Sequence, residues 1–220
     1  MKKGNETMTK NKSISKIYLI AKRLFDIVVG LIGLLILIPI TIIIKIMSIC
    51  TGDFNSIFFT QNRIGKNGKE FKFYKYRSMV PNADEILFKM LEENEEAAKE
   101  YKENKKLKND PRITKVGKII RKTSLDELPQ LINVLKGDMS LIGNRPYLPR
   151  EKDDMGKYFD DIVKSKPGLT GYWQVSGRSN TSFKSRLKLE SYYSNNMSLG
   201  MDIKIFFKTF SAVIHGHGAE

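Results

Sequence analysis

The stretch LFDIVVGLIGLLILIPITIIIKIMSIC, Leu24 to Cys50, decides how the rest of the chain is read. Between Ile27 and Ile44 it runs for 18 residues without a charge. As a straight helix that run is about 27 Å long, close to the ~30 Å of bilayer hydrocarbon. A core helix in a small soluble domain needs a polar face, and this segment has none. Lipid is therefore its expected solvent. Both flanks are basic: residues 1–23 carry seven Lys/Arg against one acidic side chain, and Lys45, Arg63, Lys66 and Lys69 follow closely.

Three membrane arrangements compete. A cleaved signal peptide would use the basic start, the apolar run and Cys50 as a lipidation site. Against it, the run is long and Ile49 stands where cleavage wants a small residue. A single spanning helix would carry everything after residue 50 outside, which the positive-inside rule opposes when both flanks are basic. Pro39 supplies the third arrangement, because it lacks a backbone donor and clashes with the preceding turn. Leu24–Ile38 and Ile40–Ile49 then become two arms of a helix that dips into one leaflet and returns. Proline also occurs inside ordinary spanning helices. The double basic flank favours the re-entrant arrangement.

The chain has 220 residues and a formal charge of +14. That length suits one domain with an appendage. At 41% hydrophobic and 28% charged it is neither a disordered tail nor a polytopic membrane protein. One cysteine excludes an internal disulfide framework and fits a reducing compartment. The mean hydropathy of −0.32 averages one very apolar segment with a polar remainder. The expected division is a basic arm over 1–23, a membrane helix over 24–50 broken near Pro39, and a larger polar domain over 51–220.

From Ser56 the pattern turns to β. IFFTQNRIG and KEFKFYKYRSM flank Asn67-Gly68, the strongest short hairpin signal. A charged helix is expected from the turn Pro81–Asp84 to about Leu107, with Glu85→Lys89 and Glu95→Lys99 at supportive spacing. The fold class is α/β, helix-rich with a small β-hairpin. Near the C-terminus Ile203, Phe206, Phe207 and Phe210 form a helical stripe, either core or an interfacial amphipathic face.

Chemistry concentrates after residue 110. Ser124-Leu125-Asp126-Glu127 reads as a capping box, with Ser124 at the N-cap and Glu127 at N3. It also places adjacent carboxylates behind Arg112, Lys118, Arg121 and Lys122. Basic side chains, free N–H groups and a helix dipole make an anion site suited to phosphate. A carboxylate there stays ionised, as a nucleophile or metal ligand must. The two readings are compatible. Asn144-Arg145-Pro146 and Pro149-Arg150 put guanidiniums on a proline-stiffened loop, where they either clamp phosphate or are merely solvated. KPGLTGYWQVSGR, Lys166 to Arg178, surrounds the one tryptophan, Trp173, with glycines, as core or interfacial anchor. No phosphate-binding P-loop, dinucleotide fingerprint or zinc-spaced Cys/His cluster occurs. His215 and His217, the two histidines, offer no basis for a histidine triad.

In order along the chain, Lys22-Arg23-Leu24-Phe25-Asp26, Lys75-Tyr76-Arg77-Ser78-Met79, Asp110-Pro111-Arg112-Ile113-Thr114, the run Arg121 to Gln130, Gly137–Leu141 and Lys166–Gly171 resemble the bacterial sugar transferase family. These are the monotopic phosphoglycosyl transferases, and the resemblance covers nearly everything after about residue 20. It implies transfer of a sugar-1-phosphate from a UDP-sugar to undecaprenyl phosphate with release of UMP. By that resemblance Asp126 is the nucleophile of a covalent phosphosugar intermediate. Glu127 is its acid/base partner, and the two help to hold Mg²⁺. Arg121 and Arg145 match arginines near the phosphates, with Arg112, Lys75 and Arg77 as further substrate contacts.

Pro39, Arg23 and Asp26 belong to the membrane element that the family inserts re-entrantly. Here Ile38 replaces a serine found in some members, and Asn144 replaces the first proline of a Pro-Arg-Pro loop. The implied setting is the cytosolic face of the bacterial inner membrane, at the first membrane step of exopolysaccharide or capsule assembly. Nucleic acid is not an expected partner, and a homodimer is compatible. The rival from another class is a membrane-tethered basic module for anionic lipid or nucleic acid, supported by the +14 charge alone.

Overall fold

An apolar helix laid along a polar body organises the molecule. The computed structural model describes residues 15–104, 107–176 and 181–214. Most of the basic N-terminal arm, Gly177, His215 and His217 lie outside the described residues. Helix α1 (Lys16–Cys50) is followed by strands β1 (Phe58–Ile64) and β2 (Glu70–Tyr76), then helices α2 (Ala83–Glu93), α3 (Glu95–Asn104), α4 (Lys115–Lys122) and α5 (Gln130–Lys136). Next come β3 (Ser140–Ile142), short helices α6 (Lys152–Met155) and α7 (Phe159–Ile162), β4 (Gly168–Thr170), α8 (Tyr172–Ser176), α9 (Phe183–Asn196) and α10 (Leu199–Ile214). The architecture is helix-rich, with two small sheets.

Helix α1 passes through Pro39 as one continuous helix, where two arms separated by a break were expected. Leu37, which precedes the proline by two residues, has its carbonyl bonded by Thr41 Oγ1 at 2.7 Å, and Thr41 also meets the Tyr76 hydroxyl of β2. The proline therefore sits where α1 is tied laterally to the domain. Mean hydropathy reaches 3.1 over the most apolar 18 residues, of which only 17% are buried.

The buried positions Asp26, Gly30, Leu37, Ile44 and Ser48 form one stripe against the rest of the chain. At Gly30 and Gly33 an added Cβ would stand 2.8 and 2.6 Å from Leu135 and Leu131 side chains of α5, so the bare backbone lets the helices close up. Arg23 donates to the carbonyls of Val134 and Leu135 at 2.6 and 2.7 Å, satisfying the free end of α5. Asp26, 3% exposed, accepts from Leu141 N and Ser140 Oγ at 2.8 and 3.0 Å. Arg23 and Asp26, expected as part of the membrane element, clamp α1 to the domain.

The hairpin forms as its turn chemistry predicts. Asn67 and Gly68 adopt φ of 58° and 74°, and the strands pair antiparallel from Phe58↔Tyr76 to Ile64↔Glu70. Asn133 of α5, fully buried, then acts as a strand partner for β2: its Oδ1 accepts from Tyr74 N and its Nδ2 donates to Lys72 O. The second sheet, β3 with β4 in parallel, is too short to show as a sequence pattern. The long charged helix is instead two, interrupted at Asn94, whose side chain accepts from Ala97 N to start α3. Its ion pair on α2 is Lys89–Glu93 at 3.8 Å.

The C-terminal stripe splits. Ile205 and Asp202 face inward, and Phe206 packs on Phe25 of α1, while Ile203, Phe207 and Phe210 are 48%, 65% and 60% exposed. This favours the interfacial reading over core. Asp202 accepts from Lys22 and Tyr18 of α1 and from Tyr193 of α9 at 2.5, 2.7 and 2.7 Å, so α10 is keyed to the membrane helix.

Removing the Asp26 acceptor strands a buried amide and a hydroxyl. Asp26→Ala is expected to cost about 2 kcal/mol, read as a lower unfolding temperature in detergent. Asp26→Asn keeps one acceptor oxygen and loses less.

Candidate active site

The segment that carries the carboxylates is built by a reversal. Helix α4 is capped at its start by Thr114 Oγ1, which accepts from Gly117 N at 2.9 Å. It ends in Ser124, which takes a left-handed φ of 56° and turns the chain. A single 3-10 turn, Leu125–Glu127, follows before Pro129 leads into α5. Leu125 and Leu128 pack into the cluster of Tyr76, Val116 and Ile120, which leaves Asp126 and Glu127 to project toward β2.

The expected capping box is absent: Ser124 makes no side-chain cap bond. The reason is electrostatic. Glu127, which would have reached back to Ser124, is drawn to Lys75 Nζ at 2.8 Å. The turn is also too short to bring a helix dipole to the site. The electropositive surroundings come from side chains.

Lys75 is the hub. Its ammonium lies 2.8 Å from Glu127 Oε1 and 3.5 Å from Asp126 Oδ2, above the Phe73 ring at 5.6 Å. Burial pushes Asp126 above the usual carboxylate range; Lys75 and Arg121 pull it down and the Glu127 charge adds to the rise. For Glu127 burial acts the same way, but Lys75, with Arg145 and Arg63, outweighs it and holds the group below its ordinary value. Asp126 is thus the carboxylate kept under electrostatic tension, and the expectation of a plainly ionised group is modified for it. Arg121 donates Nε to Ser78 Oγ at 2.9 Å, leaving its remaining N–H groups near Asp126.

The other predicted cations divide. Arg145 acts on Glu127 and sits on the loop after β3, in reach of the site's field. Arg112 and Arg77 do not join it. Arg112, buried, is fork-paired to Asp110 at 2.8 and 2.6 Å and donates to Ala83 O. Arg77 donates Nη2 to both oxygens of Asp53 at 2.9 and 2.8 Å and Nε to Ser56 O. Both hold loops in place. Three features carried no sequence signal: Arg63, Arg186 and Glu190. Arg63, pushed down to about 9 by burial and by Arg145, donates to Pro146 O at 3.1 Å. Arg186 stacks on Trp173 at 4.4 Å, which makes the tryptophan a guanidinium platform.

For a divalent cation, Asp126 and Glu127 are adjacent oxygen donors beside an ammonium that occupies the place of a positive charge. Among the described residues no group of three or more acidic, Cys or His side chains forms a cage. That donor set fits Mg²⁺, which is typically held by one or two carboxylates together with substrate phosphates.

Bacterial sugar transferase is the family whose profile matches residues 17–216, and the chain belongs to it. It is 46% identical over 201 residues to the undecaprenyl-phosphate galactose phosphotransferase of Salmonella typhimurium, covering 90% of this chain and 41% of that protein. It is 40% identical over 200 residues to the exopolysaccharide production protein ExoY of Sinorhizobium fredii, covering 91% and 88%. A third relative, the UDP-N-acetylgalactosamine-undecaprenyl-phosphate N-acetylgalactosaminephosphotransferase of Aeromonas hydrophila, is 36% identical over 214 residues, 94% and 46% of the two chains. The chain thus spans about two fifths of several curated relatives and nearly all of ExoY.

The opposed tensions on the site give a contrast. Asp126→Asn, which removes a buried charge beside Glu127, is expected to unfold at or above the wild-type temperature. Lys75→Met, which strands both carboxylates, is expected to lose about 1–3 kcal/mol. Thermal denaturation of the three proteins in one detergent checks both signs.

Proposed function

We propose that the protein transfers a sugar-1-phosphate from a UDP-sugar to undecaprenyl phosphate, through a covalent intermediate on Asp126. The observation that carries this reading is the buried Asp126, held by Lys75 and Arg121 and raised by burial, in a chain of this family. In the first displacement an Asp126 carboxylate oxygen attacks the phosphorus that bears the sugar. The P–O bond to the UMP moiety breaks, and UMP leaves with the bonding pair. In the second, a phosphate oxygen of undecaprenyl phosphate attacks the same phosphorus. The acyl-phosphate bond then breaks, restoring the carboxylate and giving the polyprenyl diphosphate sugar.

One phosphoric anhydride is exchanged for another, so the enzyme's task is the barrier rather than the equilibrium. Charge in such a transfer spreads over phosphoryl oxygens, and Lys75, Arg121 and Arg145 are the cations placed to receive it. Burial raises the free energy of the free Asp126 carboxylate, which favours its conversion to an uncharged acyl link. Glu127, held ionised by Lys75, assists proton movement at the leaving and entering oxygens. Mg²⁺, held by Asp126 and Glu127 with donor phosphates, would supply further charge neutralisation.

The same reading places the catalytic body on the cytosolic face of the inner membrane, with α1 re-entrant only in the sense that both its ends stay on that side, without the break at Pro39 that the sequence suggested. In support, contacts from Arg23 to Thr41 join α1 to one polar body along more than two turns on either side of Gly33. A helix crossing to the far side would have to release one end of that stripe. Ile203, Phe207 and Phe210 offer an interfacial face beside it. A groove of about 470 Å³ between α1 and β1, lined by Ile42, Ile46 and Phe58 among others, gives an isoprenoid chain apolar surface. The product would enter exopolysaccharide or capsule assembly.

Two measurements test these statements. With undecaprenyl phosphate and UDP-galactose or UDP-N-acetylgalactosamine, wild type releases UMP, while Asp126→Ala and Asp126→Asn lose at least about a thousandfold. Full release by both variants would end the covalent reading. In a Cys50→Ser background, single cysteines at Lys16 and Lys69 should both label from the cytosolic side only. Labelling from opposite sides would end the re-entrant one.

A further inference from the structure

Residues 144–147, directly after β3, have their backbone held one after another by three elements. Asn144 O accepts from Gly168 N of β4 at 2.7 Å. Arg145 N donates to Glu190 Oε1 of α9 at 2.9 Å. Pro146 O accepts from Arg63 Nη1 of β1 at 3.1 Å, and Tyr147 O accepts from Ile64 N at 2.8 Å. The loop therefore presents the Arg145 side chain from a backbone fixed at every residue. Three of the four holds are made by backbone amides or an arginine. Only Glu190 can lose its charge near neutrality.

Glu190 is 0% exposed, an unusual place for a carboxylate. The groups that act most on Asp126 and Glu127 do not include it, so the transfer chemistry leaves its burial unexplained. Around it stand the Tyr147 hydroxyl and Arg145 from the loop, and Arg186 from its own helix. Further elements packed on α9 bring neutral Trp173 from α8 and Lys157 from the turn at 156–158. From α7 comes Asp161, itself held by Lys164 and Ser191. Beyond Arg145 lie Arg63 and Glu151. Burial and then the Arg145 charge depress both Arg63 and Arg186, while Glu151 raises both and Glu190 raises Arg186.

We propose that Glu190 is a positioning residue for transfer: as a carboxylate it fixes the Arg145 amide and so the direction of the Arg145 guanidinium, and on protonation it releases that hold. The proposal rests on the reading of Arg145 as a ligand of donor phosphate. A carboxylate accepts an N–H bond about twice as strongly as a neutral oxygen does. Protonation also leaves Arg145 and Arg186 less compensated, so their repulsion pushes the loop outward. Burial pushes Glu190 up to about 7, against the pull of Tyr147, the Arg145 amide and Arg186. The ionised, holding form therefore prevails above about pH 7 and is lost as pH falls through it.

The test uses the full chain in lipid nanodiscs, on either side of about pH 7. Amide hydrogen exchange of the 143–148 segment, corrected for the intrinsic pH effect, reads the hold directly. The KM for UDP-galactose or UDP-N-acetylgalactosamine, from UMP release, reads its consequence. In wild type, loop exchange and donor KM should both rise about tenfold as pH falls, the worth of one charged hydrogen bond, with kcat changing less. Glu190→Gln keeps an acceptor oxygen but cannot titrate, so both quantities should become flat across this range. Glu190→Ala should show the loose-loop values at every pH. Identical pH dependence of exchange in wild type and Glu190→Gln overturns the proposal, even if the variants melt at a lower temperature. If wild type releases no UMP, the transferase reading fails, and the exchange comparison still decides for or against Glu190.

Discussion

Asp26 is a carboxylate on a helix whose other faces are hydrocarbon, and its bonds to Ser140 and Leu141 fix everything else in space. A charged group on such a helix is tolerable only if its partners are supplied by the protein. The partners here are the first residues of β3, and Arg23, one turn earlier, closes the end of α5. Together they set the angle and register of α1 against α5, which Gly30 and Gly33 then allow to pack closely. Because β3 leads into the Arg145 loop and α5 follows the Asp126–Glu127 turn, one clamp orders both halves of the site relative to the membrane element.

The distribution of cations follows from the same logic. A chain with a charge of +14 has many guanidiniums to place, and most of the buried ones are committed to structure. Arg23 closes a helix, Arg77 and Arg112 lock loops by pairing with Asp53 and Asp110, and Arg63 supports the backbone beneath Arg145. Those commitments remove them from any open basic stripe of the kind a nucleic-acid-binding module needs. What remains near the carboxylates is Lys75, Arg121 and Arg145. Each reaches the site from a different element, so phosphate charge can be met from several sides without a dedicated helix terminus.

The sequence is most readable where a physical signal is local. The apolar run and the Asn67-Gly68 hairpin depend on neighbours along the chain and lie where their patterns place them, whereas the adjacent Asp126 and Glu127 sit in a 3-10 turn and not at the expected helix N-terminus. Long-range partners leave no such trace. Nothing beside Asn133 indicates that its amide replaces a strand next to Tyr74. The Ser124 box fails because Lys75, some fifty positions away, competes for Glu127. Arg77 reads as a phosphate ligand because the sequence displays its charge and conceals Asp53 as its mate, whereas the mate of Arg112 is local, Asp110 two positions earlier. The Ile203–Phe210 stripe is visible, but which of its members stay exposed depends on Asp202 meeting Lys22 across the whole chain.

The opposing pKa directions of Asp126 and Glu127 have a structural origin in the single lysine they share. Lys75 lies closer to Glu127, at 2.8 Å against 3.5 Å, so the ion-pair benefit goes mainly to Glu127 while Asp126 bears more of the cost of burial. The charged form of Glu127 is thereby favoured, and that of Asp126 bears the cost of burial. Under the proposed transfer Asp126 would gain from the strain, since bonding to phosphorus removes the charge that burial disfavours, whereas Glu127 as proton acceptor would gain from the stability. Adjacency in sequence makes the pair, and the slant of one side chain from β2 makes it unequal.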